Sequence, residues 1–217
     1  MTAGVFLSLD GLDGTGKSTQ VRLLVDQLRE RGVTVIACAD PGGTSLGAKV
    51  RELLLFGRDT RIDPRAEAAL FMASRAQLVD EVISPALVRG EVVVCDRFLL
   101  STVVYQGHGR HDADGLDPDA LWEIGTAFTG GLLPDLTVVF DLPPDEAARR
   151  RGRSPDRMES RDDDYFRSVR QGFLAEARRL EDSHVVLDAS PAADEVHSAV
   201  WAAVTPLLQE RGHLTDG

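Results

Sequence analysis

Gly11-Leu12-Asp13-Gly14-Thr15-Gly16-Lys17-Ser18 follows the apolar run Val5–Leu9 and precedes a segment in which Val21, Leu24, Val25 and Leu28 recur at i, i+3, i+4 and i+7. The order is strand, glycine-rich turn, amphipathic helix. The eight residues satisfy G-x-x-x-x-G-K-[ST] at every fixed position, in the flanking context that this motif requires. Its glycines let successive backbone N–H groups turn inward around phosphate oxygens. The helix N-terminus behind them adds a partial positive charge. Lys17 supplies a compact ammonium for the β- and γ-phosphates, and Ser18 a hydroxyl for Mg²⁺.

The rest of the chain repeats the pattern. Strand-length runs recur at Val33–Cys38, Val92–Cys95, Leu136–Leu142 and His184–Leu187, several of them continuous and rich in Val. Such runs suit strands buried on both faces of a parallel sheet. Helical segments are predicted between them: Leu70 to about Ser84 with a kink at Pro85, Pro118–Phe128 with Asp117 as N-cap, and Ala192–Gln209 at the end. The expected fold is a single α/β domain over residues 1–217, three-layered, with about five parallel strands flanked by helices.

Composition narrows the function. The 24 basic against 35 acidic residues give a net charge of −11, which argues against a nucleic-acid surface. No run of about 18 apolar residues exists to span a membrane. The N-terminus lacks the basic region of a signal peptide. Cys38 and Cys95 are too few for a disulfide framework, so a reducing, cytoplasmic compartment is expected. Lys17 and Lys49 are the only lysines, against 22 arginines. An arginine fork does not replace a point ammonium in a phosphate loop, so Lys17 stands out.

The loop specifies a nucleoside triphosphate and leaves the reaction open. With lysines only at 17 and 49, no Asn-Lys-x-Asp guanine motif exists, and no ABC-type signature is present. A kinase of a small acceptor becomes the leading class.

Further blocks are more specific. Asp40-Pro41-Gly42-Gly43-Thr44 is followed by Leu46-Gly47 and Arg51-Glu52-Leu53-Leu54; Leu70-Phe71 by Ser74-Arg75-Ala76-Gln77; and Cys95-Asp96-Arg97-Phe98 by Ser101-Thr102 and Tyr105-Gln106-Gly107. In this order, and covering most of residues 5–173, they resemble the bacterial thymidylate kinases. The resemblance implies a P-loop kinase fold, ATP as phosphate donor, dTMP as acceptor, Mg²⁺ and a homodimer. The alternatives are a kinase of another pyrimidine nucleotide or deoxynucleoside, or a non-catalytic nucleotide-binding module.

Phe71 and Arg75 share a helix face at i, i+4, where an aromatic ring and a donor fork suit a planar base bearing a carbonyl. The resemblance implies that Phe71 stacks on thymine and Arg75 bonds the base edge. It gives Ser101, Thr102 and Gln106 to the base pocket and Tyr105 to the deoxyribose. Arg97 and Arg51 are assigned to the acceptor phosphate, with Asp40 in the acceptor loop. Asp13 lies near acceptor and metal, and Asp96 helps Ser18 hold the metal. Gly11, Leu12, Asp13, Gly14, Thr15, Gly16, Lys17, Ser18 and Thr19 are the ATP-binding residues.

Arg149, Arg150, Arg151, Arg153, Arg157 and Arg161 crowd one stretch. An arginine that arrives on closure stabilises the transferring phosphoryl group. Position 14 is glycine, which by the resemblance implies that the catalytic arginine sits in a lid near residues 149–164. Arg153 is the first candidate, then Arg149 and Arg157. Asp10 and Asp40 replace glutamates usual in the family, and Leu78 a usual histidine. His108 and His111 are expected on the surface. Asp188-Ala189-Ser190 weakly resembles the loop near adenine.

Overall fold

The computed structural model describes residues 2–57, 61–109, 115–151 and 162–215. In chain order the elements are β1 (Val5–Gly11), α1 (Lys17–Glu30), β2 (Val35–Ala39), α2 (Ser45–Phe56), α3 (Pro64–Leu78), α4 (Ser84–Val88), β3 (Val92–Asp96), α5 (Leu99–Thr102), α6 (Pro118–Phe128), β4 (Leu136–Asp141), α7 (Pro144–Arg151), α8 (Asp163–Ala177), β5 (His184–Asp188) and α9 (Ala193–Glu210). Five parallel strands form one sheet in the order β2-β3-β1-β4-β5.

The Val-rich runs fall on these strands as expected. Val92, Val93 and Val94 are fully buried, because helices cover both sheet faces. Leu24, Val25 and Leu28 press the stripe of α1 into the larger core cluster. Asp117 caps α6 by accepting from the Asp119 N–H, with Pro118 in the first turn.

The helix predicted from Leu70 differs at both ends. It begins at Pro64, capped by Asp63. Before Pro85 it widens into a π-type turn, Val79–Ile83, in which the Ser84 N–H reaches the Val79 carbonyl. Pro85 lacks the N–H that would bond Glu81, and the wide turn absorbs that mismatch. A second π-type turn, Val103–His108, continues α5. His108 differs from its expected surface position: its side chain is half-buried, with Nε2 2.6 Å from Glu176. His111 lies outside the described residues.

All five strands run the same way, so Gly11, Ala39 and Asp96 end on one edge of the sheet. In an open α/β sheet ligands bind at that edge. Among the described residues no helix is long and apolar enough to cross a membrane.

Candidate active site

The loop after β1 turns through left-handed glycines, Gly14 and Gly16, both at φ +92°. Gly14 is required for a second reason. A Cβ there would stand 2.1 Å from the Ala147 carbonyl oxygen and 3.0 Å from Arg151 Cγ. The backbone of α7 therefore packs directly on the loop. Lys17 opens α1, is 5% exposed, and donates from Nζ to the Leu12 carbonyl at 2.7 Å. Burial, together with the neighbouring Arg97, pushes the Lys17 ammonium down to about 8, against the pull of Asp13. Two cations so placed favour an anion between them. Ser18 Oγ donates to Asp96 Oδ2 at 2.6 Å, joining the loop to the end of β3.

Arg97, the next residue, has φ +71°. A non-glycine residue held in that region marks a position fixed by its surroundings. Its N–H donates to the Leu9 carbonyl at 3.0 Å. Its guanidinium donates to the Gly11 carbonyl at 2.8 Å, Ser101 Oγ at 2.9 Å and Asp13 Oδ1 at 2.7 Å. Burial alone would raise the Asp13 carboxyl; Arg97 and Lys17 outweigh it and hold Asp13 well below the usual carboxylate range. Tyr105 Oη donates to Asp13 Oδ2 at 3.2 Å.

Two adjoining clefts open here. One is lined by Gly14, Gly16, Lys17, Ser18, Thr19, Asp96, Arg150 and Arg151. The other is lined by Phe71, Arg75, Ser101, Thr102, Tyr105 and Gln106. Asp13, Asp40, Pro41, Arg51 and Arg97 line both. Arg51 donates to the Pro41 carbonyl at 2.9 Å.

Arg75 is 1% exposed. It donates to Asp40 Oδ2 at 2.6 Å and Thr102 Oγ1 at 2.7 Å, and lies against the Phe98 ring. Asp40, a methylene shorter than the usual residue, still reaches this partner. Burial raises the Asp40 carboxyl above its ordinary value although Arg75 works against it. The other departures are absorbed as well. Asp10 is fully buried and accepts from the hydroxyls of Ser8 and Ser101. Leu78 is buried in the smaller core cluster.

The arginine stretch divides. Arg153, Arg157 and Arg161 lie outside the described residues. Arg149 is 74% exposed beside Asp145. Arg150 donates to the carbonyls of Ala189 at 2.6 Å and Ser190 at 2.8 Å, tying α7 to the loop that resembles the adenine segment. Arg151 lines the phosphate cleft over the Phe166 ring, with Nη1 buried and unpartnered. Sequence reasoning did not single out Arg151; the signal was Gly14, whose missing side chain admits α7. Glu67 was also missed. It is fully buried and accepts from Gln106 Nε2 at 3.1 Å.

A lysine-bearing glycine turn beside a second cleft with its own arginines defines a P-loop phosphotransferase with a separate acceptor site. A sequence model described as thymidylate kinase matches residues 9–200. Similar chains include the thymidylate kinase of Deinococcus radiodurans, 46% identical over 98% of this chain and 100% of the relative. That of Caldanaerobacter subterraneus is 41% identical over 95% and 97%. The crystal structure of thymidylate kinase from Ehrlichia chaffeensis superposes with a TM-score of 0.76 at 28% identity, over 93% of this chain and 99% of that one. The chain belongs to the thymidylate kinase family.

Proposed function

We propose that this chain transfers the γ-phosphoryl group of ATP to the 5′-phosphate of dTMP, giving ADP and dTDP, with ATP in the Lys17 cleft and dTMP in the Phe71–Arg97 cleft. The observation that carries this reading is the seam between the clefts: Asp13, Asp40, Arg51 and Arg97 line both. A donor and an acceptor phosphate in the two clefts would meet there.

The acceptor needs no dedicated base, since its phosphate is already largely ionised near neutral pH, with a second pKa of about 6. The difficulty is bringing two polyanions together. Lys17 cradles the donor, Arg97 and Arg51 take the acceptor phosphate, and Asp13 aims Arg97. Arg151, buried and unpartnered at Nη1, adds a fixed cation over the loop. The lid, about residues 149–164 of a single domain, brings a further arginine and excludes water. Arg153, Arg149 and Arg157 are its candidates.

Ser18 and Asp96, 2.6 Å apart, form a hard all-oxygen pair that suits Mg²⁺. Among the described residues no cluster of three or more His, Cys, Asp or Glu could hold a metal alone. That donor set fits an ion completed by substrate phosphates and water. When bound, Mg²⁺ neutralises phosphate charge.

A homodimer is supported by the layer of α2, α3 and α6, which pack side by side. It carries exposed Leu53, Phe56, Ile124 and Phe128, an apolar face of the kind that pairs. A cytoplasmic, soluble enzyme is the compartment this reading implies.

Incubation with ATP, Mg²⁺ and dTMP, followed by chromatographic separation of nucleotides, tests the reaction. Equimolar ADP and dTDP are expected. ADP without dTDP overturns it.

A further inference from the structure

Gln106 lines the acceptor cleft and is fully buried. Its amide can lie either way round, and the two orientations offer a ligand opposite groups. Glu67, fully buried on α3, accepts from Gln106 Nε2 at 3.1 Å. In that pairing the NH₂ end of the Gln106 amide faces the Glu67 carboxylate oxygen, which accepts. Gln106 Oε1 is left buried with no hydrogen-bond partner, as an acceptor awaiting a donor.

Beside it, Thr102 Oγ1 accepts from Arg75 Nη2 at 2.7 Å. Its hydroxyl proton is thereby free to be donated. Side by side, the cleft offers an acceptor and a donor. A pyrimidine edge with an N–H next to a carbonyl complements that pair; thymine and uracil have it. Cytosine carries a ring-nitrogen acceptor next to an amino donor, the reverse order. It would pair only if the Gln106 amide turned over. That rotation sets Gln106 Oε1 against the Glu67 carboxylate, acceptor to acceptor.

We propose that Glu67, which lines neither cleft, is a specificity-determining positioning residue: it locks the Gln106 amide so that the acceptor site takes 4-oxo pyrimidine monophosphates and rejects 4-amino ones. The lock rests on the assignment of the Phe71–Arg97 cleft to the pyrimidine. It acts through repulsion of the wrong base as well as attraction of the right one.

The isosteric Glu67→Gln variant tests it, because a carboxamide in place of the carboxylate can donate or accept and lets Gln106 turn. Steady-state kinetics with dTMP, dUMP and dCMP are the readout. In Glu67→Gln the preference of kcat/KM for dTMP over dCMP should fall at least about tenfold, the scale of one mispaired buried group. The dTMP to dUMP ratio should not move, since both bases present the same edge. The exchange variant Glu67→Gln with Gln106→Glu restores an acceptor held by an NH₂ group and should restore the dTMP preference. An unchanged dCMP discrimination, or a parallel loss with all three substrates, overturns the lock. A Gln106→Leu enzyme separates the lock from the assignment beneath it. If that variant keeps the KM for dTMP, the pyrimidine is not in this cleft, and the lock falls with it. If its KM rises while Glu67→Gln leaves discrimination intact, the cleft assignment stands and the lock alone fails.

Discussion

Arg97 Nη2 donates to Asp13 Oδ1 at 2.7 Å, which couples the residue after β3 to the carboxylate inside the phosphate loop. Neither element could hold that guanidinium alone. Arg97 sits at φ +71°, and Asp13 is fixed in turn by Tyr105. Arg97→Lys keeps the charge but loses the fork that spans Gly11, Ser101 and Asp13. A fall in kcat of about 100-fold or more is expected from steady-state assays, the scale of removing one preorganised donor at the reacting phosphate. A near-normal kcat would mean that only a point charge is needed.

Lys17→Ala should lower kcat by several orders of magnitude while thermal denaturation stays close to the parent. The ammonium is buried beside another cation, an arrangement that serves an anion and not the fold. Loss of folding in place of activity would make Lys17 structural.

Phe71→Ala should raise the KM for dTMP about 10- to 100-fold, the scale of losing an aromatic stacking surface worth about 1–3 kcal/mol. Little change in kcat should accompany it, because a ring stacked on the base would contribute equally in ground and transition states. Unchanged dTMP kinetics would remove Phe71 from the base pocket.

Glu176 makes stability pH-dependent. Burial would raise its carboxyl, but hydrogen bonds with Trp122, His108 and Arg179 outweigh burial and hold it below its ordinary 4.5. Its contribution is therefore present above about 4.5 and is lost as pH falls through the lower folded value. Thermal denaturation from pH 7 to 3 should show Tm falling in acid. Glu176→Gln should cost about 1–3 kcal/mol near pH 7 and flatten that acid limb. An acid limb that is equally steep in the variant would place the titrating group elsewhere.

The parallel sheet was legible because Val92–Cys95 is a continuous apolar run and Val5–Leu9 is broken only by Ser8, a pattern that suits strands covered on both faces and alternating with helical segments. The phosphate loop was legible because its spacing alone dictates backbone geometry. The strand order was not, since β3 beside β1 depends on pairing between residues some 90 positions apart. The π-type turn at Val103–His108 left no periodic signal. Arg75 read as a donor on a helix face; its ion pair with Asp40 joins α3 to the end of β2, a contact no local pattern encodes. The division of Arg149 from Arg151 was equally hidden. Both follow α7's helical pattern, and only the packing of that helix on Gly14 turns Arg151 into the cleft at the glycine-rich loop.

The most direct measurement is ADP release, followed by a coupled assay, with ATP, Mg²⁺ and a panel of nucleosides and nucleoside monophosphates. Two clefts sharing Asp13, Asp40, Arg51 and Arg97, with a pyrimidine held by Phe71, Thr102 and Gln106 and a deoxyribose packed on Tyr105 where a 2′-hydroxyl would be crowded, predict turnover with dTMP well above UMP and dCMP, and none with nucleosides. Equal turnover of dTMP and UMP, or none with dTMP, would contradict the account.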